Sequence, residues 1–179
     1  MNSDWITNLI SMILATDLNG GIGKNNSMPW KHIKEDMRHF QRTTFDNVVV
    51  MGTNTWDSLG ENAPLKNRIN YVISTQAAGR FPGVYDVYDY SKYSVKDILT
   101  AIQSRHPDKE IIIIGGKTLY DVTYDLCETI YLTRISTTFD CDTTVDLNEY
   151  LDNFECRYTQ VDERNDEPPT IQIERWVRV

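Results

Sequence analysis

Three runs of consecutive, largely apolar residues constrain the fold of this chain more than any other feature of its sequence. They cover residues 10–15, 48–51 and 110–114, are rich in Ile and Val, and carry a charge only at Glu110. Such runs, which lack polar alternation, indicate strands buried on both faces. A polar or glycine-rich turn follows each run, and a helical pattern comes after it. This alternation predicts an α/β fold, in which helices cover both faces of a mostly parallel sheet.

The helical segments are marked by spacing and by a cap. Ile33, Met37 and Phe40 recur at helical intervals with charged residues between them. Ser94 is a good N-cap, and Asp97 stands at the acidic position of a capping-box variant. The helices are predicted over residues 34–43, 53–59, 95–106 and 117–124, and the additional strands over residues 69–74 and 84–88.

The last third of the chain has a different pattern. Residues 129–135, 154–161 and 171–179 are strand-like, and no strong helical pattern separates them. Apolar and polar residues largely alternate in the last of these segments, as in an antiparallel strand with one wetter face. We therefore expect antiparallel strands at one edge of the sheet.

Charge and composition exclude several classes of partner. The formal net charge of −8 disfavours binding to nucleic acids and to anionic membranes. No apolar run is long enough to span a bilayer, and the first residues lack the pattern of a secretion signal. Cys127, Cys141 and Cys156 have the spacing of neither a disulfide framework nor a zinc site. We expect reduced thiols, a cytoplasmic protein and no metal.

Two glycine motifs follow predicted strands, where ligands of α/β sheets bind. The segment 115–118, Gly-Gly-Lys-Thr, is not a phosphate-binding P-loop because position 111 is Ile. The segment 21–23, Gly-Ile-Gly, lacks the third glycine of a dinucleotide fingerprint. Two readings of the glycine pair at 115–116 remain: a tight turn without a ligand, or a close backbone approach to one.

Two charged residues have an ordinary and a functional interpretation. Asp36 lies at the margin of an apolar helix stripe, so it is either a first-turn carboxylate that favours the helix dipole or a ligand-binding acid with a raised pKa. Arg68 precedes a strand; it is either solvated or positioned to bind a carboxylate bidentately.

In combination these features resemble the dihydrofolate reductase family, from about Ile10 to the C-terminus. The resemblance implies a single domain over residues 1–179, with residues 1–9 as an N-terminal extension. It also implies a three-layer sandwich built on an eight-stranded, mostly parallel mixed sheet with an antiparallel C-terminal strand. The segments that carry it are residues 21–30 (GIGKNNSMPW), 35–40 (EDMRHF), 50–58 (VMGTNTWDS), 68–74 (RINYVIS), 113–116 (IIGG) and 131–135 (YLTRI).

The resemblance implies an activity and a set of catalytic residues. NADPH would donate a hydride to C6 of 7,8-dihydrofolate, with a proton added at N5, to give tetrahydrofolate. Asp36 would bind the pterin, and Trp30 and Thr133 would hold the carboxylate and an ordered water. Met28 would line the pterin and aminobenzoyl slots. Arg68 would bind the α-carboxylate of the glutamate tail. The protein is expected to act as a monomer.

The family also implies which residues surround each ligand. The substrate would contact Ile13, Leu14, Ala15, Asp36, Met37, Phe40, Ser58, Leu59, Leu65, Arg68, Ile114, Tyr120 and Thr133. The cofactor would contact Ala15, Ile22, Gly23, Asn26, Ser27, Met28, Gly52, Thr53, Asn54, Thr55, Ser74, Thr75, Gln76, Ile114, Gly115, Gly116, Lys117, Thr118, Leu119 and Tyr120. Residues 19–28 resemble the family's mobile loop, and Asp142 resembles the residue that stabilises its closed form.

The chain departs from the family pattern at the cofactor. Many bacterial relatives have Arg where this chain has Thr53 and Thr118, and those arginines meet the 2′-phosphate. Ser74 and Thr75, with Lys117 or Arg80, would have to replace them, so we expect NADPH with a reduced preference over NADH.

A second departure lies near the pocket entrance, where the segment between Trp30 and Asp36 is one residue longer than in bacterial relatives. Two alternatives to dihydrofolate reduction stay open at this point. One is a reductase of the same fold that acts on a riboflavin precursor, and the other is a non-catalytic binding module.

Overall fold

The computed structural model describes residues 9–162 and 169–179, which form ten strands and five α-helices. The strands are β1 (Ile10–Thr16), β2 (Gly21–Gly23), β3 (Val48–Gly52), β4 (Ile69–Ile73), β5 (Asp86–Tyr88), β6 (Ile111–Gly115), β7 (Thr129–Ile135), β8 (Thr143–Thr144), β9 (Phe154–Asp162) and β10 (Ile171–Arg178). The helices are α1 (Lys34–Thr44), α2 (Thr53–Leu59), α3 (Val95–Arg105), α4 (Lys117–Asp121) and α5 (Leu147–Leu151).

Eight strands form one sheet in the order β5-β4-β3-β6-β1-β7-β10-β9. The pairs on the β5 side of β7 are all parallel, whereas β10 pairs antiparallel with both β7 and β9. Strand β10 therefore runs opposite to the other seven strands. This confirms the predicted mixed sheet with an antiparallel C-terminal strand.

Alternate residues of the central strands supply the cores on the two faces of the sheet, as the strand period of two requires. Val48 and Val50 of β3 belong to the larger core, together with Leu99 of α3. Val49 and Met51 belong to a second core with Trp56 of α2, Val72 and Phe81. Both faces of β3 are fully buried, so the uninterrupted apolar run follows directly from the three-layer arrangement.

The helix caps follow the sequence signals in part. The Ser94 side chain accepts a hydrogen bond from the backbone N–H of Asp97, as predicted for the start of α3. The helix predicted to extend to Tyr124 ends at Asp121 instead, and a short 3₁₀ turn follows at Tyr124–Leu126. Helix α5 was not predicted, although Asp146 caps its N-terminus by accepting from Asn148 and Glu149.

The segment 17–28 is rich in Asn and Gly, and its sequence predicts a loop, but the structure places part of it in a small second sheet. Strand β2 lies within that segment and pairs antiparallel with β8. Because these strands have three and two residues, neither carries a periodic pattern. The pairing ties the segment to a part of the chain more than 100 residues away, and a local reading cannot detect such a contact.

The ends of the described chain bear on two further predictions. The predicted N-terminal extension lies outside the described residues except for Leu9, whose carbonyl accepts a hydrogen bond from Ile111. None of the described helices combines the length and the apolar composition needed to cross a bilayer.

Strands β1, β3, β4, β6 and β7 end at the same edge of the sheet, so the residues after them lie near one another.

Candidate active site

Asp36 is a buried carboxylate in the first turn of α1. The Thr133 hydroxyl, from the buried strand β7, donates a hydrogen bond to it. Burial raises the pKa of Asp36, and the Thr133 hydrogen bond and the nearby His32 offset this only in part. A partly paired, desolvated acid of this kind suits a ligand that brings its own N–H donors.

Tyr120 connects Asp36 to the glycine pair that follows β6. Its buried hydroxyl donates to the Ile13 carbonyl across 2.7 Å. Burial, together with the Asp36 carboxylate, raises the pKa of the Tyr120 hydroxyl, which therefore keeps its proton at neutral pH. A Cβ atom placed on Gly115 would lie 3.3 Å from this hydroxyl oxygen. Tyr120 is therefore near both Asp36 and Gly115, two residues that the sequence interpretation assigns to one site.

The glycine pair leaves its backbone uncovered by side chains at a crowded position. Gly115 has φ +120° and is joined to Gly116 by a cis peptide bond. A Cβ atom on Gly115 would also lie 3.1 Å from the Thr55 hydroxyl, so only glycine fits without displacing a neighbour. The Cβ position of Gly52 is 4.0 Å from both Gly115 O and Gly116 N. The start of α2 therefore faces the glycine pair, and together they form a narrow cradle.

Hydroxyl groups line the ends of β3 and β4. The Thr53 hydroxyl donates to the Ser74 hydroxyl oxygen over 2.9 Å, and the Gln76 backbone N–H donates to the same oxygen over 3.0 Å. The two cations considered for this region are paired with carboxylates: Arg80 with Asp57 at 2.6 Å, and Lys117 with Asp121 at 2.7 Å. The region is consequently polar, and the charges of Arg80 and Lys117 are already balanced by the carboxylates of Asp57 and Asp121.

Arg68 is fixed in place by the main chain of its surroundings. Its guanidinium donates to the Gln41 carbonyl at the end of α1, to the Lys66 carbonyl, and to the Thr44 hydroxyl. Partial burial lowers the pKa of Arg68, although an arginine stays charged at any physiological pH. The guanidinium has further N–H donors beyond these three bonds, so it can still bind a carboxylate without moving.

The segment after β1 is held at both of its ends. Asp17 accepts hydrogen bonds from the backbone N–H groups of Asn19, Gly21 and Phe139. Burial acts to raise the pKa of Asp17, but these hydrogen bonds outweigh it and leave the pKa lowered. Further along, the Asp142 carboxylate accepts from the backbone N–H of Asn25 over 2.8 Å.

The sequence interpretation missed Asp17, which joins two distant loops. A signal was present in the turn sequence Asp-Leu-Asn-Gly-Gly at residues 17–21, because an Asp at the start of such a turn commonly accepts hydrogen bonds from the backbone N–H groups that follow it. Its bond to Phe139 is non-local and left no signal.

The remaining residues of the interpretation divide between the site and the core. Ala15 and Ile33 pack against a cluster that contains Trp30, whereas Met28 is 48% exposed. The Leu14 and Leu119 side chains lie in the larger core, so only their backbones can face a ligand. Ser58 is exposed and donates to the Thr55 carbonyl.

The chain was compared with known proteins. The family model for dihydrofolate reductase matches residues 9–178. Dihydrofolate reductase of Ureaplasma parvum is 32% identical over 159 residues, which cover 84% of this chain and 96% of that protein. Dihydrofolate reductase of Bacillus subtilis is 34% identical over 134 residues, which cover 75% of this chain and 73% of that protein. The solved structure of dihydrofolate reductase from Enterococcus faecalis with NADP(H) and RAB-propyl superposes with a TM-score of 0.77, 27% identity and 96% coverage of both chains.

The raised pKa of Asp36 predicts a gain in stability when its charge is removed. A carboxyl group whose pKa is raised by folding contributes to the stability of the folded state. The contribution is fully present below the unfolded-state pKa and is lost as pH rises through the folded-state pKa. Asp36→Asn, which is always neutral, should therefore be more stable than the parent at about pH 8, and the difference should shrink towards about pH 5. The measurement is the urea midpoint of unfolding at both pH values.

Asp97 provides a matched control because it occupies the same position of α3, three residues after the N-cap, and is exposed. Asp97→Asn removes a carboxylate that favours the helix dipole and should not stabilise the protein. An Asp36→Asn variant less stable than the parent at the higher pH would show that the folded state favours the charged carboxylate.

Proposed function

The chain belongs to the dihydrofolate reductase family, and we propose that the pocket around Asp36 is where it carries out the reaction of that family. It is an NADPH-dependent oxidoreductase that reduces 7,8-dihydrofolate to 5,6,7,8-tetrahydrofolate. The observation that carries the assignment of the pocket is that Tyr120 is near both the buried acid and the glycine pair. Burial and the Asp36 charge raise the pKa of its hydroxyl, which lies 3.3 Å from the Cβ position of Gly115. Tetrahydrofolate is the carrier of one-carbon units, for example in thymidylate synthesis.

We propose that Asp36 recognises the pterin ring. The ring's amino group and the neighbouring ring N–H are two donors in one plane, which matches the two oxygens of a carboxylate. Thr133 holds one side of the carboxyl group, and Trp30 closes the site below it. The negative charge on Asp36 favours a proton at N5, which leaves C6 electron-poor and ready to accept a hydride.

The cradle of Gly52, Thr55, Gly115 and Gly116 fits a nicotinamide cofactor because three of its four residues carry no side chain, so a flat ring can approach their backbone closely. Bound NADPH supplies the hydride, two electrons and one proton as a unit, and one further proton is added at N5. The chain's task is to orient the two rings and to exclude water from the site. In this proposal Asn54, Thr118 and Tyr120 extend the cradle along the cofactor.

We propose that residues 19–28 close over the nicotinamide and that Asp142 stabilises the closed form. The hydrogen bond from Asn25 to Asp142 and the pairing of β2 with β8 support this role. Ile22, Gly23, Asn26, Ser27 and Met28 would then contact the cofactor or border it. Loop closure that excludes water is common in enzymes that transfer a hydride or a proton.

We further propose that the 179 residues form one domain and that the protein is cytoplasmic. The match of the family model to residues 9–178 supports the first point. The cytoplasmic location is supported by the free thiols of Cys127, Cys141 and Cys156, since such thiols persist in a reducing compartment.

The experiment that tests the function is the oxidation of NADPH by purified protein with dihydrofolate, repeated with NADH. We expect turnover with both nucleotides, and a higher kcat/KM with NADPH. The ratio should be smaller than for an enzyme with arginines at positions 53 and 118, because this region offers hydroxyls and paired cations to the 2′-phosphate. Turnover of a pyrimidine riboflavin precursor with none of dihydrofolate would contradict the assignment.

Arg68→Leu tests the proposed binding of the glutamate tail. Loss of a bidentate, charge-assisted contact should raise the KM for dihydrofolate about 10- to 100-fold, with a smaller change in kcat. Arg68→Lys keeps the positive charge but cannot form the bidentate contact, so its KM for dihydrofolate should lie between those of the parent and Arg68→Leu. The substrate control is a dihydropterin without a glutamate tail, whose KM should not change. An unchanged KM for dihydrofolate would show that another residue binds the carboxylate.

A further inference from the structure

A groove of about 220 Å³ lies on the other side of α1 from Phe40 and Met37, towards the β9 edge of the sheet. Helix α1 contributes His39 and Arg42, and the outer strands contribute Tyr131, Tyr158, Gln160 and Arg175. The reaction proposed above uses none of these six side chains.

The strand register shows that the groove is built on one face of the sheet. Arg175 of β10 is paired with Tyr131 of β7 on one side and with Tyr158 of β9 on the other. These three residues form a row across three strands. Since adjacent strands lie about 4.8 Å apart, the two tyrosines at the ends of the row are separated by roughly 10 Å at the backbone. That spacing leaves room above Arg175 for a flat group between the two rings.

The next row of the sheet joins the groove to the active site. It consists of Thr133, Ile173 and Gln160, again on the same face. Thr133 is the residue that donates a hydrogen bond to Asp36. On the helix side, the His39 ring packs edge-on against Tyr131 with centroids 6.3 Å apart. The groove and the Asp36 pocket are therefore adjacent chambers under the same helix.

The charge of the groove is opposite to that of the whole protein. Within residues 9–162 and 169–179, neither Arg42 nor Arg175 forms an ion pair with another residue. Among the residues that line the groove, the acid Glu174 is buried and is paired with Arg134 at 2.9 Å. A second carboxylate, Glu110, accepts a hydrogen bond from the Tyr131 hydroxyl at 2.9 Å. Two arginines that have no ion pair among the described residues are a local exception in a chain of net charge −8, and such a pair of cations attracts anions.

His39 adds an unused polar atom to this side of α1. Its Nε2 is buried and has no hydrogen-bond partner among the described residues, while Nδ1 lies 3.4 Å from the Thr43 hydroxyl. A buried polar group without a partner is costly, and such groups are uncommon in native proteins. The unpartnered Nε2 of His39 is consistent with a binding site in which a bound molecule supplies the hydrogen-bond partner.

We propose that this groove is a second binding site, for a small anion with a flat aromatic body. Arg42 and Arg175 bind the phosphate or carboxylate group from the helix side and the sheet side. Tyr131 and Tyr158 contact the two faces or edges of the ring. The volume is below the roughly 300–1,000 Å³ typical of sites for larger ligands, which limits the occupant to one ring and one anionic group.

The test is a titration of the protein with phenyl phosphate, followed by backbone amide NMR. The protein is first saturated with NADP⁺ and folate, so that neither the nucleotide site nor the pterin site accepts the probe. We expect saturable shifts at His39, Tyr131 and Arg175. The double variant Arg42→Gln, Arg175→Gln should weaken binding about tenfold or more, which is the effect of losing two charge-assisted contacts.

The matched control is Arg38→Gln, Arg157→Gln. These arginines lie on α1 and β9, but each is exposed and paired with a glutamate, Glu35 or Glu155. The control variant should bind phenyl phosphate as the parent does, and inorganic phosphate should bind the parent more weakly than phenyl phosphate. The proposal is overturned by any of three results: no saturable shifts in the groove, equal binding by the parent and the Arg42/Arg175 variant, or equal affinity for the two phosphates.

Discussion

The contact between Asp36 and Thr133 is the constraint on which the rest of this structure depends. It joins the first turn of α1 to β7 and holds a carboxyl group in a place where burial disfavours its charge. Such a group is tolerated when a ligand completes its hydrogen bonds. In the function proposed above, this carboxylate is the negative group that binds the flat, nitrogen-rich ring of the substrate.

The sheet topology brings the other parts to this acid. Strands β1, β3, β4, β6 and β7 end at one edge, so Gly52, Ser74 and Gly115 meet there although they are distant in sequence. Tyr120 links the two halves: its hydroxyl bonds to Ile13 and lies beside the Cβ position of Gly115, while its pKa responds to Asp36. In the proposed function, the cradle binds the nicotinamide and the acid binds the pterin, with Tyr120 next to both.

Sequence reasoning predicted the parts of the structure that follow from local patterns. The buried runs around Met12 and Val50 predicted the parallel strands, and the spacing of Ile33, Met37 and Phe40 predicted α1 and the position of Asp36 on it. The family resemblance placed the glycine pair beside that acid. The contacts that set the details are non-local: the pairing of β2 with β8, the bond from Phe139 to Asp17, and the pairing of Arg80 with Asp57. None has a local signature, because each depends on how distant segments pack.

The most direct test of the central claim is the rate of hydride transfer in the Asp36→Asn variant, measured by single-turnover kinetics with NADPH and dihydrofolate. Asn fits the same space and can accept the Thr133 hydrogen bond, but it carries no negative charge. The account predicts a folded protein that is slower than the parent by about 100-fold or more at neutral pH, and partial recovery at low pH, where the substrate is already protonated. Glu35→Gln, one residue earlier, should leave the rate nearly unchanged. Equal rates for Asp36→Asn and the parent at pH 7 would contradict the account.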